Sequence, residues 1–313
     1  MKKTGLILGF LFLVLVAGFG QGAGDAEVLF KAGNDKLKAN DYYGAVRDFN
    51  RALKLRPEYP EALAGRAFAR NKLGDSDAAL TDADAAVQLA GQNPAIVFNR
   101  AEIFFDQKKY REALDDYSET ISLQEDYPGA FRGKVLSMYF TGQEKEAMAL
   151  VESRIKSKPE ESLYYYLNGL LLTLKQKYNK ALEYFDKALA LNPGDIAASC
   201  YLNRGIAYLG VEENEHARDD LNEAISLDTT NLVAYLSRGR AYYNLRSYEE
   251  AIQDFTRVVT LSPTNDAAFY NLGMAYYRIE NKASACQNFH KACSMGNNNA
   301  CRMIVMECSE VKQ

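Results

Sequence analysis

Small residues return at a nearly constant interval along this chain of 313 residues. The interval is 34 residues at six of the seven steps and 36 residues at the remaining one. The recurring residues are Ala45, Ala79, Ala113, Ala147, Ala181, Ala217, Ala251 and Ala285. Four positions after them come Phe49, Ala83, Tyr117, Val151, Phe185, Leu221, Phe255 and Phe289. Such an interval indicates a repeated unit that cannot bury its apolar face alone, so neighbouring copies must stack.

Each copy carries the apolar spacing of two helices. In the last copy, Phe269, Leu272 and Tyr276 share one face of the first segment, and Phe289 and Ala292 share one face of the second. All seven prolines fall at junctions between copies, where a proline can start or stop a helix without interrupting it. The pattern predicts antiparallel helix pairs, in which small residues allow close approach and the aromatic residue fills the adjacent hole.

The eight copies resemble the tetratricopeptide repeat, a 34-residue helix–turn–helix unit. The resemblance implies an all-α fold: a right-handed superhelical solenoid of antiparallel helix pairs, with a C-terminal capping helix and tail in residues 300–313. The fourth copy departs most, with Val135, Val151 and Arg154 where small, aromatic and alanine residues are expected, so we expect looser packing there. The predicted units are 26–59, 60–93, 94–127, 128–161, 162–195, 198–231, 232–265 and 266–299, with a two-residue insertion at 196–197.

The N-terminus has the pattern of an export signal. Lys2 and Lys3 precede an uncharged apolar run from Gly5 to Phe19, and cleavage is expected just before Gln21. The run is about 15 residues long, which is short for a membrane span of roughly 20 residues, and an uncleaved anchor is the alternative interpretation. We therefore predict a signal peptide in residues 1–20 and a location in the bacterial periplasm or outside the cell.

Charge and histidine content limit the possible functions. The formal net charge of −4, without a polybasic stretch, argues against a nucleic-acid or anionic-membrane partner. The two histidines, His216 and His290, adjoin packing positions and are expected on partly exposed helix faces. The paired acids Asp115–Asp116 and Asp219–Asp220 are interpreted as solvated faces. We predict no catalysis, no cofactor, no bound metal and no membrane insertion after signal cleavage.

Four of the five cysteines lie near the C-terminus at intervals of seven and eight residues. Cys286 and Cys293 share one face of the last repeat helix, and Cys301 and Cys308 share one face of the capping helix. If these helices are antiparallel, Cys286 faces Cys308 and Cys293 faces Cys301, which predicts two disulfides in an exported protein.

Two other interpretations of these cysteines remain open. Cys286, His290 and Cys293 have spacing that permits a zinc site, and the four cysteines could also be unbonded thiols in a core. Cys200 is predicted to be a small buried apolar residue. The stretch HKACSMGNNNAC resembles the cysteine-bridged helical hairpins of Sel1-like repeat proteins.

In the tetratricopeptide family, the first helix of each unit lines the concave surface through its second, fifth, sixth, ninth and twelfth positions. The resemblance implies partner-binding residues at several of these positions, although some of the tyrosines could instead pack between units. They are Asn34, Asn71, Asn99, Tyr139, Tyr166, Asn203, Arg240, Tyr243, Tyr270, Asn271 and Tyr277. The carboxylate clamp known in the family is not reproduced, because Phe30, Ala95 and Asn99 stand where it has basic residues.

Together these patterns predict an exported, non-catalytic scaffold that binds a protein or peptide partner in its concave groove. The expected partner is another cell-envelope protein. Two alternatives are a self-associating structural protein of the envelope and a redox or metal role for the C-terminal cysteines.

Overall fold

The computed structural model describes residues 24–308, so the predicted signal peptide lies outside the described residues. Within this range the backbone forms α-helices joined by short turns, with a single 3-10 turn at Gly194–Ile196 and no strand. The helices are α1 (24–38), α2 (Tyr42–Leu55), α3 (Pro60–Lys72), α4 (Ser76–Ala90), α5 (Pro94–Asp106), α6 (Tyr110–Leu123), α7 (Ala130–Phe140), α8 (Glu144–Ser157), α9 (Ser162–Leu174), α10 (Tyr178–Ala190), α11 (Ala197–Gly210), α12 (Asn214–Leu227), α13 (Leu232–Asn244), α14 (Tyr248–Leu261), α15 (Asp266–Arg278), α16 (Lys282–Ser294) and α17 (Asn298–Glu307).

The chain divides into two compact units, one ending at Ala147 and the other beginning at Met148. In the N-terminal unit each helix from α2 to α7 packs against its neighbours in sequence, and α3 and α5 also contact the next first helix along the chain. In the C-terminal unit the same holds from α9 to α17, where α9, α11, α13 and α15 form a layer of first helices. The predicted all-α architecture of adjacent helix pairs is therefore confirmed.

The turn within each pair is short because one residue adopts a left-handed backbone. Glycine occupies this position at Gly74 (φ 82°) and Gly142 (φ 84°), whereas Arg246 (φ 64°) and Glu280 (φ 62°) adopt it between later helices. A left-handed residue after the last helical turn stops the helix and lets the next begin within a few residues. The turns thus bring consecutive helices into antiparallel contact.

Close crossings join the two helices of a pair. In the C-terminal unit, a Cβ atom placed on Gly169 would lie 2.7 Å from Cε1 of Phe185, whose ring is fully buried. A Cβ atom on Gly239 would lie 2.6 Å from Cε1 of Phe255. Such distances are below van der Waals contact, so these glycines are required for the helices to approach around the ring.

The unusual valines of the fourth copy are buried, and looser packing there stays a prediction. Val135 and Val151 are each fully buried. Val135 is larger than the glycine of other copies and Val151 is smaller than the phenylalanine.

Buried arginine–aspartate pairs form a second repeating feature, which the alanine pattern did not predict. In the N-terminal unit, Arg100 donates to both oxygens of Asp116 over 2.7 and 2.8 Å, and reaches Asp84 over 3.0 Å. The hydrogen bond to Asp116 raises the pKa of Arg100, whose guanidinium stays charged. Arg66 and Asp82 form an equivalent pair with distances of 2.7 and 2.6 Å.

The C-terminal unit repeats the same geometry. Arg204 binds both oxygens of Asp220 over 2.7 Å and also reaches Asp186 over 2.7 Å. Arg238 binds Asp254 over 2.8 and 2.7 Å. Each arginine therefore joins the first helix on which it lies to the second helix of the same pair. Through its bond to Asp186, Arg204 also joins α11 to α10 of the preceding pair. Because bidentate arginine–carboxylate bonds fix direction as well as distance, they set the register between helices.

The interpretation of the paired acids as solvated faces was therefore wrong for one member of each pair. Asp116 and Asp220 are 5 % and 6 % exposed, because they lie beneath the arginines of the preceding first helices. Asp219 remains exposed and pairs with its neighbour Arg218.

Replacing Gly169 with alanine tests the close crossing. Alanine favours a helix over glycine by about 1 kcal/mol, yet we expect the unfolding free energy to fall by roughly 1–3 kcal/mol because the new Cβ overlaps the ring of Phe185. Urea denaturation followed by circular dichroism measures the change. A Lys180→Ala variant, which alters an exposed side chain in the same pair, should match the wild type. An unchanged midpoint for Gly169→Ala would contradict the crossing.

Removing one partner of a buried pair should be much more costly than removing an exposed one. Asp254→Ala leaves the Arg238 guanidinium, whose side chain is 19 % exposed, without its carboxylate. We expect a loss on the order of 3 kcal/mol. Asp219→Ala, the matched control at an exposed acid, should cost less than about 1 kcal/mol. Similar denaturation midpoints for the two variants would show that the pairs do not stabilise the stack.

Candidate functional site

A cavity of about 230 Å³ opens on the first-helix layer of the C-terminal unit. Its lining consists of Arg240, Tyr243, Asn244, Phe255, Tyr270, Asn271 and Met274. Four of these residues belong to the predicted partner-binding set. The structure thus brings together Arg240, Tyr243, Tyr270 and Asn271, which are up to 31 positions apart in the sequence.

Helical spacing places these side chains on the cavity. Arg240, Tyr243 and Asn244 are three and four positions apart on α13, and share one face of it. Tyr270 and Met274 are four apart on α15, with Asn271 beside them. The ring of Phe255 comes from α14 behind them, is 1 % exposed, and forms the floor.

The polar groups of the cavity differ in whether they are already bonded. Asn244 donates its side-chain amide to Asn214 over 2.8 Å. The side chains of Arg240 and Asn271 make no hydrogen bond or ion pair with any residue in the range 24–308. Arg240 is also exposed. The cavity therefore offers one cationic donor and one amide to a bound molecule.

A second cavity of about 450 Å³ lies beside the start of α14 and the turn between α15 and α16. It is lined by Tyr248, Tyr277, Arg278, Glu280 and Lys282. Arg278 donates its Nε to the hydroxyl of Tyr248 over 3.1 Å, and the guanidinium carbon lies 6.0 Å from the centroid of Tyr243. The rings of Tyr243 and Tyr248 are in edge contact at 5.5 Å. The two cavities therefore adjoin through Tyr243.

The pKa values of two tyrosines in this region, Tyr243 and Tyr277, are raised for different reasons. Burial raises the pKa of Tyr243. The negative charge of Glu307, together with a hydrogen bond to it, raises the pKa of Tyr277. Both hydroxyls therefore stay protonated at neutral pH and can donate hydrogen bonds.

Two other predicted partner residues of the C-terminal unit, Tyr166 and Asn203, make contacts within the stack, and Asn203 is half-buried. Tyr166 is 5 % exposed and its ring lies 6.1 Å from that of Phe185. Asn203 donates to the backbone carbonyl of Ser199 over 2.9 Å and to the Tyr166 hydroxyl over 3.4 Å. The prediction that Tyr166 lines an open groove was wrong, because the ring fills space between consecutive first helices.

Four other predicted residues lie in the N-terminal unit, where they are described separately. Asn71 donates its amide to Asp106 over 2.8 Å, so its hydrogen-bonding capacity is partly used. Asn34 is half-buried, and Tyr139 is half-buried with its ring 5.5 Å from that of Phe140. The side-chain oxygen of Asn99 is buried and has no hydrogen-bond partner among residues 24–308. Their partner-binding role stays a prediction.

Tyr248, Arg278 and Lys282 were not predicted as site residues. They lie beyond the twelfth position of each unit, where the concave-surface pattern ends. One available signal was the tyrosine that begins several second helices, at Tyr42, Tyr110, Tyr178 and Tyr248. Its recurrence indicates that several repeats share the same geometry where the second helix begins.

Two disulfides hold the last two helices together. Cys286 is bonded to Cys308 with a Cα–Cα distance of 5.7 Å, and Cys293 is bonded to Cys301 with a distance of 4.8 Å. Both distances are normal for disulfides. Cys200 is a free buried cysteine, and burial raises the pKa of its thiol to about 12.

The zinc interpretation does not agree with this arrangement. Cys286 and Cys293 are bonded to other cysteines, so their thiolates are not available as ligands, and His290 is exposed beside them. Among residues 24–308 there is no cluster of three or more histidine, cysteine or acidic side chains suited to a metal ion. His216 is also exposed, stacked against Tyr208 at 5.2 Å. Over the same range, no helix is both long and apolar enough to cross a membrane.

Five family profiles match the chain, four described as tetratricopeptide repeat and one as TPR repeat. They cover residues 30–94, 69–130, 162–195, 198–231, 239–279 and 267–294. The chain is a tetratricopeptide repeat protein. The exact number of repeats and the Sel1-like character of the last hairpin remain predictions.

Several curated proteins are similar to parts of this tetratricopeptide repeat protein. Small glutamine-rich tetratricopeptide repeat-containing protein 2 of Mycosarcoma maydis is 28% identical over 98 residues, which cover 31% of this chain and 28% of that protein. Mitochondrial import receptor subunit TOM70 of Homo sapiens is 27% identical over 155 residues, or 47% and 25% of the two chains. Hsp70-Hsp90 organizing protein 2 of Arabidopsis thaliana is 31% identical over 87 residues, or 28% and 15%. The match thus spans less than a third of each of these relatives.

A solved structure described as the APC/C hetero-tetramer Cut9-Hcn1 has the same fold. It superposes with a TM-score of 0.61 at 14% sequence identity, covering 85% of this chain and 52% of that chain. At this identity the similarity supports the helical repeat architecture alone.

Thiol counting on the unreduced, denatured protein checks the cysteine assignments. We expect one reactive thiol, from Cys200, and five after reduction, because four sulfurs are held in disulfides. A Cys200→Ala variant, as the matched control, should show none before reduction. Five reactive thiols without reduction would contradict both bonds.

Proposed function

We propose that the protein is an exported interaction scaffold, which holds a protein or peptide partner against the cavity formed by α13, α14 and α15. The observation that carries this proposal is the convergence of Arg240, Tyr243, Tyr270 and Asn271 in one open cavity. They come from two repeats, and stacking of those repeats brings them together. The partner we propose is another protein of the bacterial cell envelope.

The size and lining of the cavity suit one side chain of a partner. A volume of about 230 Å³ is smaller than the roughly 300–1,000 Å³ typical of drug-sized ligand pockets. Phe255, Tyr270 and Met274 offer apolar walls, and aromatic-lined pockets commonly hold the anchor residues of protein interfaces. The amide of Asn271 can both donate to and accept from the backbone of an extended segment.

The rigidity of the layer favours binding. The cavity side chains stand on helices that are joined by close crossings and by the Arg238–Asp254 pair. Because the supporting backbone is already ordered, little conformational entropy is lost when a partner binds. The names of two relatives, an import receptor subunit and an organizing protein for Hsp70 and Hsp90, agree with a role in protein interaction.

Two features support export. The N-terminal pattern of lysines followed by an apolar run is typical of a signal peptide. The two disulfides of α16 and α17 agree with an oxidising compartment, because such bonds rarely persist in a reducing cytosol.

Site-specific photo-crosslinking in the native envelope tests the proposal. A photoreactive residue at Tyr270 should give a defined adduct with one envelope protein, and Tyr243→Ala together with Tyr277→Ala should greatly reduce its yield without changing the thermal melt. The matched control is the same residue at Tyr43, which is 78% exposed on α2. The protein recovered from the envelope should begin at Gln21.

Equal adducts at Tyr270 and Tyr43 would reject a specific site on the first-helix layer. An adduct formed only with another copy of the protein would instead favour a self-associating structural role. Recovery of the full-length chain from the cytosol would reject export.

A further inference from the structure

We propose that the segment held at this site is acidic and presents one large apolar side chain to the cavity. This inference rests on the proposed function and specifies the chemistry of the partner. Its basis is a group of three cationic side chains, Arg240, Arg278 and Lys282, which line the two adjoining cavities. We call these three residues the basic strip.

Arg240 differs from the structural arginines because it has no partner within residues 24–308. Arg204 and Arg238 each bind two aspartate oxygens over 2.8 Å or less. Arg240 is exposed, and it makes no hydrogen bond or ion pair with any residue that the structure describes. Its charge is therefore not used by the fold, whereas the charge of Arg238, two positions earlier, is.

Arg278 is held in place but keeps most of its donors. Its Nε donates to the Tyr248 hydroxyl over 3.1 Å, and its guanidinium carbon lies 5.7 and 6.0 Å from the centroids of Tyr248 and Tyr243. No carboxylate within residues 24–308 forms an ion pair with it. An arginine fixed by aromatic rings with free terminal nitrogens is suited to bidentate contact with a carboxylate.

Lys282 adds a third cation at the start of α16. Its ammonium group has no ion-pair partner among the described residues, although Glu280 lines the same cavity. Three cations and one acid thus line the two cavities, and Glu307 adds a second acid beside Tyr277. This local excess contrasts with the net charge of −4 over the whole chain.

Charge complementarity therefore favours an acidic partner. The apolar floor of Phe255, with Tyr270 and Met274 around it, adds a requirement for one large apolar side chain. A nucleic acid would also supply negative charge, but three cations on an acidic chain provide few phosphate contacts compared with those on which nucleic-acid affinity depends. An acidic peptide segment with an aromatic or large aliphatic anchor meets both requirements.

Fluorescence anisotropy with defined peptides tests the inference on the full mature chain. The probe is a fluorescein-labelled peptide of sequence Gly-Asp-Glu-Phe-Asp-Glu-Gly, amidated at its C-terminus. We expect it to bind at least about tenfold more tightly than its neutral isostere, in which Asn and Gln replace Asp and Glu. Replacing its Phe with Ala should weaken binding about fivefold or more, and added salt should weaken the acidic peptide selectively.

Variants of the basic strip make the test specific. Arg240→Gln combined with Arg278→Gln should weaken the acidic peptide about tenfold while leaving the neutral peptide within about twofold. The matched control is Arg132→Gln on α7, an exposed arginine that also lacks an ion pair among the described residues. It should leave both affinities unchanged, and all variants should keep the wild-type thermal melt.

Four outcomes would overturn the inference: equal binding of the acidic and neutral peptides, tighter binding of a lysine version, an equal effect of Arg132→Gln, or no binding of any peptide. Sedimentation of the unlabelled protein tests whether a second copy of the chain occupies the site. A dimer that the double variant abolishes would assign the basic strip to a second copy, which also overturns the proposal. If crosslinking at Tyr270 succeeds while the acidic preference fails, the scaffold function stands and only this inference is lost.

Discussion

The contact between a glycine on a first helix and a large side chain on the next helix recurs through the C-terminal unit and sets how closely the paired helices approach. At Gly239 the backbone of α13 comes so close to Phe255 that even a Cβ atom would lie 2.6 Å from the ring. The same ring is the floor of the candidate cavity. A single packing contact therefore holds the helix pair together and determines the depth of the site, so a larger residue at position 239 would affect both.

Two arginines on α13 have different roles. The charge of Arg238 is paired within the fold, and the charge of Arg240 faces the cavity. Residues two positions apart on a helix point to different faces. Arg238 points toward α14 and binds Asp254, whereas Arg240 points into the open cavity and has no partner within the described chain. The structural pair orients α13, and that orientation presents the second arginine to a bound molecule. Burying one cation with its carboxylate therefore positions the other cation.

The sequence predicted the helix pairs well because their signals are local and repeated. Alanine spacing, prolines at junctions and cysteines at heptad spacing each act within one or two helices. How deeply a side chain is buried in the stack does not follow from such local signals. Tyr166 and Tyr270 occupy the same position of different repeats, yet Tyr166 is 5 % exposed and Tyr270 lines a cavity. What differs is the element that follows: α11 places Asn203 against Tyr166, whereas the repeat of Tyr270 is followed by α17.

The paired acids were misinterpreted for a related reason. Asp220 lies beside an exposed acid in the sequence, and its partner Arg204 is 16 positions away on another helix. Adjacent acids look like a solvated face when only one helix is considered. The repeat itself contained the information, because arginine and aspartate recur at this separation in four pairs. The copies in which they are replaced, with Asn168 at the arginine position, made the recurrence harder to recognise.

The C-terminal disulfides also support the site, although they lie outside it. A terminal repeat has neighbours on one side only and is the part of a stack that opens most easily. The disulfide between Cys286 and Cys308 fixes α17 against α16. On α16, Phe289 lies with its ring 6.1 Å from that of Tyr270, which forms one wall of the cavity. Because α17 and its two bonds keep α16 in place, Tyr270 keeps its support even though its repeat is close to the end of the array.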